Sequence, residues 1–229
     1  MKSKNFDINT ILSETGSSLL TIIYKSLLKR EKQIILECGV NKGYSTSMFS
    51  YYSEKSDSYC FSIDINDCKD VVTSERWTFI HNDDSKVLEI INDYPVLQDQ
   101  GIDILFIDSF HRADHVEKVL YGWYPYLNKD SLIFIDDIDG RNYRKGKEKD
   151  SYYNELNWEE INRFTRDFSE NNSSDTILTQ YFGKTGLAKI VKVSEKGSLP
   201  NRIVNRERSL LLKLITLFNR NLKNLFRSR

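Results

Sequence analysis

The chain has 229 residues, of which 39% are apolar and 29% charged, as expected for one large globular domain with a substantial core. Its cysteines are Cys38, Cys60 and Cys68. An odd number without metal-site spacing argues against a disulfide framework and predicts a cytoplasmic protein. Residues 1–7 lack the apolar core of a signal peptide, and no apolar run approaches the length of a membrane span, so we expect neither.

Hydrophobic periodicity predicts strands that alternate with helices along most of the chain. A helix over residues 8–30 comes first, and we interpret it as a cap on the sheet. Five strands follow, over residues 33–38, 59–64, 77–81, 102–108 and 131–137. Helices are predicted after the first, third and fourth strands. This alternation indicates an α/β fold with a mostly parallel sheet.

The pattern changes after the fifth strand. Residues 140–150 are predicted to form a loop, and residues 158–168 a helix. Two further strands, over 176–182 and 187–193, are separated by only four residues, which permits a hairpin. The chain is therefore expected to form a Rossmann-like, seven-stranded sheet that ends in an antiparallel pair, with helices on both faces.

The first strand breaks into a glycine turn that opens a helix. Gly39 and Gly43 follow Glu37 in an E-x-G-x-x-x-G pattern, and Ser45 and Thr46 stand where the next helix would begin. Glycines at this spacing let the backbone turn tightly and lie against a ligand. Open α/β sheets bind cofactors at the carboxyl ends of their strands, so the turn is a candidate cofactor loop.

Four of the five predicted parallel strands end in acidic residues. These residues are Glu37, Asp64, Asp108, and Asp136 with Asp137. A single carboxylate at a strand end is usually a solvated end. Four that meet at one edge of a sheet favour a polar ligand site over a merely solvated rim.

In this order, these motifs resemble those of class I S-adenosylmethionine-dependent methyltransferases. The resemblance covers residues 30–195 and depends on five motifs: Glu37–Gly43, Asp64, Asp84-Ser85, Asp108-x-x-His111 and Asp136-Asp137. Within that class, the chain resembles the metal-dependent sugar O-methyltransferases of macrolide and aminocoumarin biosynthesis. It also resembles bacterial methyltransferases of glycan and antibiotic gene clusters. The resemblance implies the class I methyltransferase fold and S-adenosylmethionine as cofactor.

The expected cofactor groove extends from the glycine loop to the next two strand ends. A carboxylate at Asp64 can accept both ribose hydroxyl groups of an adenosyl moiety, although an exposed strand-end acid is the simpler alternative. The family pattern places Asp84 with Ser85 at the adenine edge, while Asp83, Asp84 and Ser85 could instead cap the helix that begins there. A G-x-G-x-x-G fingerprint is absent, which argues against NAD. The predicted cofactor-binding residues are Glu37, Gly39, Gly43, Ser45, Thr46, Asp64, Asp84 and Ser85.

Asp108, Asp136 and Asp137 form the most reactive set of side chains. Converging carboxylates repel one another, so either one stays protonated or a divalent cation compensates their charge. Oxygen ligands favour magnesium, calcium or manganese, and we expect magnesium. The family pattern assigns His111, three residues after Asp108, as the general base for the acceptor hydroxyl, and we count Asp108 with it as a catalytic residue. His115 is the alternative base, and an iron-oxygenase site that uses both histidines is a minor rival.

The C-terminal stretch is predicted to be a basic amphipathic helix. Residues 202–229 contain eight Lys or Arg against one acid, Glu207, in a chain whose formal net charge is zero. Apolar side chains would share one helical face and basic side chains the opposite one. Such a helix lies on an anionic membrane surface, contacts a partner or a second copy, or packs on its own domain. Nothing in the sequence indicates nucleic-acid binding.

The sequence as a whole predicts three segments and one activity. Residues 1–30 would form the helical cap, 31–196 the methyltransferase domain and 197–229 the basic helix. The predicted reaction is methylation of a hydroxyl group on a small-molecule sugar or a glycan, in the cytoplasm or at the inner membrane face. Tyrosines and basic residues of segment 140–157 would contact the sugar and a phosphate or carboxylate, unless this segment is an ordinary solvated loop. The alternative is a catalytically silent adenosyl-binding domain that acts as a membrane-recruited interaction module.

Overall fold

The computed structural model describes residues 18–203 together with Asn9, Leu210, Leu214 and Phe218. Strands and helices alternate through most of this range. The helices are α1 Ser18–Leu27, α2 Tyr44–Ser56, α3 Val87–Asp93, α4 Val96–Asp99, α5 Ala113–Trp123 and α6 Tyr152–Asn171. The strands are β1 Ile34–Cys38, β2 Tyr59–Asp64, β3 Trp77–His81, β4 Ile102–Ile107, β5 Leu127–Asp136, β6 Thr176–Tyr181 and β7 Leu187–Lys192. Two 3₁₀ turns, Tyr124–Tyr126 and Gly140–Tyr143, flank β5.

One seven-stranded sheet has the order β3-β2-β1-β4-β5-β7-β6. The first five strands in that order run parallel, and β7 pairs antiparallel with both β5 and β6. The carboxyl ends of β1 to β5 therefore meet at one edge, and β6 ends at the same edge because it runs parallel to β5. The predicted mostly parallel sheet with an antiparallel pair and helices on both faces is confirmed.

The central strands bury apolar side chains on both of their faces. In β1, Ile34 and Leu36 point to one face and Ile35 to the other, and all three are buried. Helices α1 and α2 cover the face of Ile35, whereas α3 to α6 cover the opposite face. The sheet is therefore buried on both faces, and the loops at its carboxyl edge extend from packed strands.

Some element boundaries differ from those that the sequence predicts. Helix α6 begins at Tyr152, six residues earlier than expected, because the Ser151 hydroxyl caps it by accepting the amide of Asn154. Helix α5 ends at Trp123, and Pro125 stands in the 3₁₀ turn that follows. The predicted N-terminal helix is observed from Ser18, and its earlier part lies outside the described residues except for the helical Asn9.

The predicted C-terminal helix falls mostly outside the described residues. Leu210, Leu214 and Phe218 are helical, four residues apart, and exposed at 75%, 63% and 67%. Residues at this spacing share one helical face. Among the described helices, none combines the length and the hydrophobicity that a bilayer crossing requires.

Candidate active site

The glycine loop after β1 touches the loop after β4. Gly39 has φ +99°, and a Cβ atom there would lie 2.4 Å from the carbonyl oxygen of Asp108. Gly43 also has a positive φ, +76°, and precedes the first turn of α2. The Asp108 amide donates to the Cys38 carbonyl at 2.9 Å, which ties the two strand ends together. Only glycine permits this close approach at position 39.

Glu37 lies beneath the glycine loop, with no exposed surface. Its Oε2 accepts hydrogen bonds from Thr46 at 2.8 Å and from Ser62 at 2.5 Å, while its Oε1 has no partner. Burial raises the pKa of Glu37 to about 7, although nearby hydroxyl groups, including that of the buried Ser45, act in the opposite direction. This carboxyl group therefore joins β1, β2 and α2 from inside.

Asp64, at the end of β2, supports the same loop from its outer side. Its Oδ2 accepts the amides of Val40 and Asn41 at 2.9 and 3.1 Å. Its Oδ1 accepts the amide and the side chain of Asn66. Burial raises the pKa of Asp64, but these hydrogen bonds outweigh burial and lower it below its usual value. The carboxylate stays ionised and half-buried at the predicted cofactor groove.

Asp84 belongs to a buried network behind the site. Its carboxylate accepts a hydrogen bond from the Ser109 hydroxyl at 2.5 Å and lies 2.8 Å from Nε2 of His115. Ser85 turns away, because its hydroxyl donates to Asp83 at 2.5 Å. Since Ser109 follows Asp108, this network fixes the backbone of the loop after β4. The alternative base, His115, belongs to this network, because its ring contacts Asp84.

Asp108, His111 and Asp137 converge at the carboxyl edge of the sheet. Each residue offers a ligand atom, and these atoms lie within 4.8 Å of one another. Nδ1 of His111 is 2.6 Å from Oδ2 of Asp137, and its Nε2 is 3.4 Å from Oδ1 of Asp108. We call these three residues the carboxylate–histidine cluster. His111 is half-exposed, so the cluster is open to solvent on one side.

The donor set of this cluster fits a divalent cation. Asp137 Oδ2 is buried, and its close polar neighbour among the described residues is Nδ1 of His111, 2.6 Å away. Asp137 also adopts φ +62°, a left-handed conformation that costs energy and is enriched at functional sites. Two carboxylates with one imidazole supply oxygen and nitrogen ligands for magnesium, manganese or iron. A cation would bind this buried oxygen and reduce the repulsion between the two carboxylates.

The protonation of the cluster reflects the same crowding. Burial would lower the pKa of His111, but the carboxylates of Asp108 and Asp137 outweigh burial and raise it to about 10. Burial raises the pKa of Asp137, and His111 acts against this effect. Without a cation, the imidazolium of His111 therefore compensates the charge of its two neighbours.

Asp136 lies beside the cluster with a different set of partners. Its Oδ1 accepts hydrogen bonds from the Thr185 hydroxyl and the Asp137 amide, both at 2.8 Å. Burial raises its pKa well above the usual value, and the charges of Asp108 and Asp137 add to this effect. The sequence predicts Asp136 as a metal ligand and His111 as the general base. In the structure, the atoms of His111 lie among the candidate ligand atoms, whereas Asp136 contacts the β6–β7 hairpin.

Two aromatic side chains, Trp158 and Tyr143, flank the cluster, and the sequence predicts only Tyr143 near the site. The buried ring of Trp158 lies edge-on to His111, with centroids 6.5 Å apart. Tyr143 packs against Trp158 at 4.2 Å. Trp158 is on α6, and its position in the sequence gives no signal of this contact. The predicted substrate-facing segment does supply Tyr143.

Among known proteins, a protein-family model described as "Methyltransferase domain" matches residues 36–138. The matched stretch begins in β1 and ends just after Asp137, so it contains the glycine loop and the whole cluster. The match covers less than half of the chain and makes residues 36–138 similar to a methyltransferase domain, as the motifs of the sequence predict. A search of the curated proteins finds no match.

Solved structures agree on the fold. MycE, the methyltransferase of the mycinamycin biosynthetic pathway solved with Mg and SAH, is 17% identical with a TM-score of 0.59. The alignment covers 87% of this chain and 58% of MycE, so the chain spans less than two thirds of that protein. CalS11, a TDP-rhamnose 3'-O-methyltransferase of calicheamicin biosynthesis, is 18% identical with a TM-score of 0.51, over 80% of this chain and 79% of its own.

A third similar structure is the SAH-bound methyltransferase PaMTH1 of Podospora anserina. It is 14% identical with a TM-score of 0.58, and the alignment covers 81% of this chain and 87% of that protein. At these identities the likeness concerns the fold, and it confirms the predicted class I methyltransferase fold.

Proposed function

We propose that this protein transfers the methyl group of S-adenosylmethionine to a hydroxyl group of a sugar or glycan, with the help of a divalent metal ion. The observation that carries the proposal is the position of the carboxylate–histidine cluster. It lies directly beside the glycine loop, because Gly39 packs on the backbone of Asp108. Methyl transfer requires the cofactor and the acceptor hydroxyl to be held in line, and two adjoining sites serve that purpose.

The cofactor would lie across the ends of β1, β2 and β3. Gly39 and Gly43, both with positive φ, would give the loop the tight turn along which the cofactor lies. Asp64 would accept the ribose hydroxyl groups, and the segment that contains Asp84 and Ser85 would border the adenine. Glu37, Ser45 and Thr46, which are buried, would hold the loop and the start of α2 in place.

The acceptor would be prepared at the cluster. The carboxylates of Asp108 and Asp137 would bind the metal, with Asp136 close by and magnesium as the expected ion, and the imidazole of His111 would stay outside the coordination shell. A cation there supplies a positive charge that makes an acceptor hydroxyl more acidic. Once the charges of Asp108 and Asp137 are compensated, His111 loses the cause of its raised pKa and can accept the hydroxyl proton near neutral pH.

A methyl-transfer assay tests this proposal. Protein would be incubated with radiolabelled S-adenosylmethionine, magnesium and a panel of sugar and glycan acceptors. We expect label in an acceptor, and a loss of at least about 100-fold on chelation or in Asp137→Asn. Cofactor binding without transfer to any acceptor would support the silent adenosyl-binding module, and absence of cofactor binding would exclude both functions.

The location of the protein is a separate proposal. The exposed helical positions Leu210, Leu214 and Phe218 share one face, in a stretch rich in Lys and Arg. Apolar and basic side chains together are what an anionic lipid surface binds. We propose that this stretch attaches the enzyme to the inner face of a membrane, where lipid-linked glycans would be accessible.

A further inference from the structure

A groove next to the carboxylate–histidine cluster is lined by four arginines. It has a volume of about 420 Å³ and lies between the loop after β5, the end of β6 and one face of α6. Its basic side chains are Arg141, Arg144, Arg163 and Arg166. The acids that line it are Asp139 and Glu159, so the groove keeps an excess of positive charge.

Arg141 is held in place by a buried acid. Asp139, which is 3% exposed, accepts Nε and Nη2 of Arg141 at 2.7 and 2.6 Å and the Gly183 amide at 2.8 Å. The guanidinium also lies 5.4 Å from the ring centre of Phe182. Gly186 packs closely on Asp139, since a Cβ there would lie 2.7 Å from the Cβ of Asp139. The orientation of Arg141 is thus set before any ligand arrives.

The arginines on the α6 side of the groove are less strongly paired with acids than Arg141 is. Arg144 reaches Glu159 at 3.3 Å and Glu155 at 3.5 Å. Arg163 and Arg166 are exposed, lie one turn apart on α6, and have no acidic partner among the described residues. The guanidinium groups of these two arginines are therefore available to donate pairs of hydrogen bonds to an anion.

The groove adjoins the predicted reaction centre. Ile138 and Asp139 line it and directly follow Asp137 of the cluster. Gly140 packs against the backbone of α6, because a Cβ there would lie 2.7 Å from the Glu155 carbonyl oxygen. The loop after β5 thus carries Asp137 of the cluster at its start and lines the groove with the residues that follow.

We propose that this groove binds a phosphate or diphosphate group carried by the methyl acceptor. Guanidinium groups bind phosphate oxygens in pairs, and several arginines around one groove match a diphosphate better than a neutral sugar. This inference rests on the proposed function in one respect: it takes the bound anion to be part of the molecule that accepts the methyl group. The acceptor class is then a sugar linked to a nucleotide or a lipid through phosphate.

Calorimetric titration of the metal-free full chain tests the groove, with inorganic pyrophosphate as the first probe. The test variant is Arg163→Gln with Arg166→Gln. The matched control is Lys25→Gln with Lys55→Gln, which removes the same charge from exposed positions on α1 and α2. We expect the affinity to fall at least about tenfold in the test variant and by less than about twofold in the control. Equal affinities in the two variants, or no pyrophosphate binding by the unmodified protein, would overturn the proposal.

Further titrations identify the source of the phosphate and separate this proposal from the proposed function. Uridine diphosphate that binds more tightly than pyrophosphate indicates a nucleotide-linked acceptor, and geranyl diphosphate that does so indicates a lipid-linked one. The test variant should keep its affinity for S-adenosylmethionine and Mn²⁺. Asp137→Asn should lose Mn²⁺ and keep pyrophosphate. Arginine-dependent pyrophosphate binding without cofactor binding would leave the groove intact and refute the methyltransferase.

Discussion

At the scale of single residues, Glu37 shows how burial changes chemistry. The side chain is fully buried with one oxygen unpartnered, so its ionised form is costly and its pKa rises from 4.5 to about 7. The folded protein thus holds a proton that the unfolded chain releases. Stability from this proton is present below pH 4.5 and is lost as the pH rises through about 7.

A pH series of chemical denaturation checks this consequence. Between pH 4.5 and 7 the free energy of unfolding should fall with rising pH, by about 3 kcal/mol from Glu37 alone. Glu37→Gln cannot ionise and should remove that part of the slope. Identical slopes for the variant and the unmodified protein would show that Glu37 ionises normally.

The carboxylate–histidine cluster leads to a second residue-scale prediction. Asp137→Asn replaces a buried carboxylate of the cluster by a neutral amide, so Mn²⁺ affinity should fall by about 100-fold or more, as measured by electron paramagnetic resonance. Asp93→Asn, an exposed acid at the end of α3, is the control and should bind Mn²⁺ normally. An unchanged affinity in Asp137→Asn would place the metal elsewhere.

The acids of the site could be predicted from sequence because each follows an apolar strand. Asp108 and Asp137 meet in space since parallel strands end at one edge. The contact of Trp158 with His111 could not be predicted, because it depends on how α6 packs over the sheet. The left-handed backbone of Asp137, which directs its carboxylate, has no signature in the sequence either.

At the scale of elements, the contact between the loops after β1 and β4 joins the two halves of the site. Gly39→Ala should destabilise the fold by about 2–4 kcal/mol, because its Cβ would overlap the Asp108 carbonyl and its φ is unfavourable for alanine. Gly146→Ala is the matched control, since Gly146 has φ +80° with open space around it and should cost only about 1–2 kcal/mol.

Thermal and urea unfolding of both variants measure this difference, and calorimetry with S-adenosylmethionine measures the effect on the loop. Equal destabilisation by the two alanines would mean that the approach of the β1 and β4 loops is not needed.

Strands were easier to predict than helix boundaries. Strands β2 and β3 begin and end at the predicted residues, because each coincides with a short apolar run. The first turns of α6 are polar, with Asn154 and Glu155 in them, and they are helical because Ser151 caps the helix and Gly140 packs against it. The placement of β7 between β5 and β6 depends on long-range pairing that local patterns do not encode.

At the scale of the whole molecule, the sheet places a predicted cofactor loop, a predicted metal cluster and an arginine groove along its carboxyl edge. The apolar C-terminal positions are a separate feature. Leu214→Glu with Phe218→Glu should reduce binding to phosphatidylglycerol vesicles by at least about tenfold, because two exposed apolar side chains are lost.

The control for this vesicle experiment is Leu199→Glu, an exposed leucine outside that helical face, which should bind vesicles normally. Sedimentation with vesicles gives the bound fraction. If the double variant binds as the unmodified protein does, the C-terminal stretch has a role other than membrane attachment.

The most direct test of the central claim measures whether cofactor and metal lie side by side. S-adenosylmethionine labelled with ¹³C at its methyl group would be bound to the protein and observed by NMR while Mn²⁺ is added. Because the glycine loop contacts the backbone of Asp108, we predict strong paramagnetic broadening of the methyl signal, and none beyond the free-ion level in Asp137→Asn. A bound cofactor whose methyl signal stays sharp with Mn²⁺ present would contradict the account.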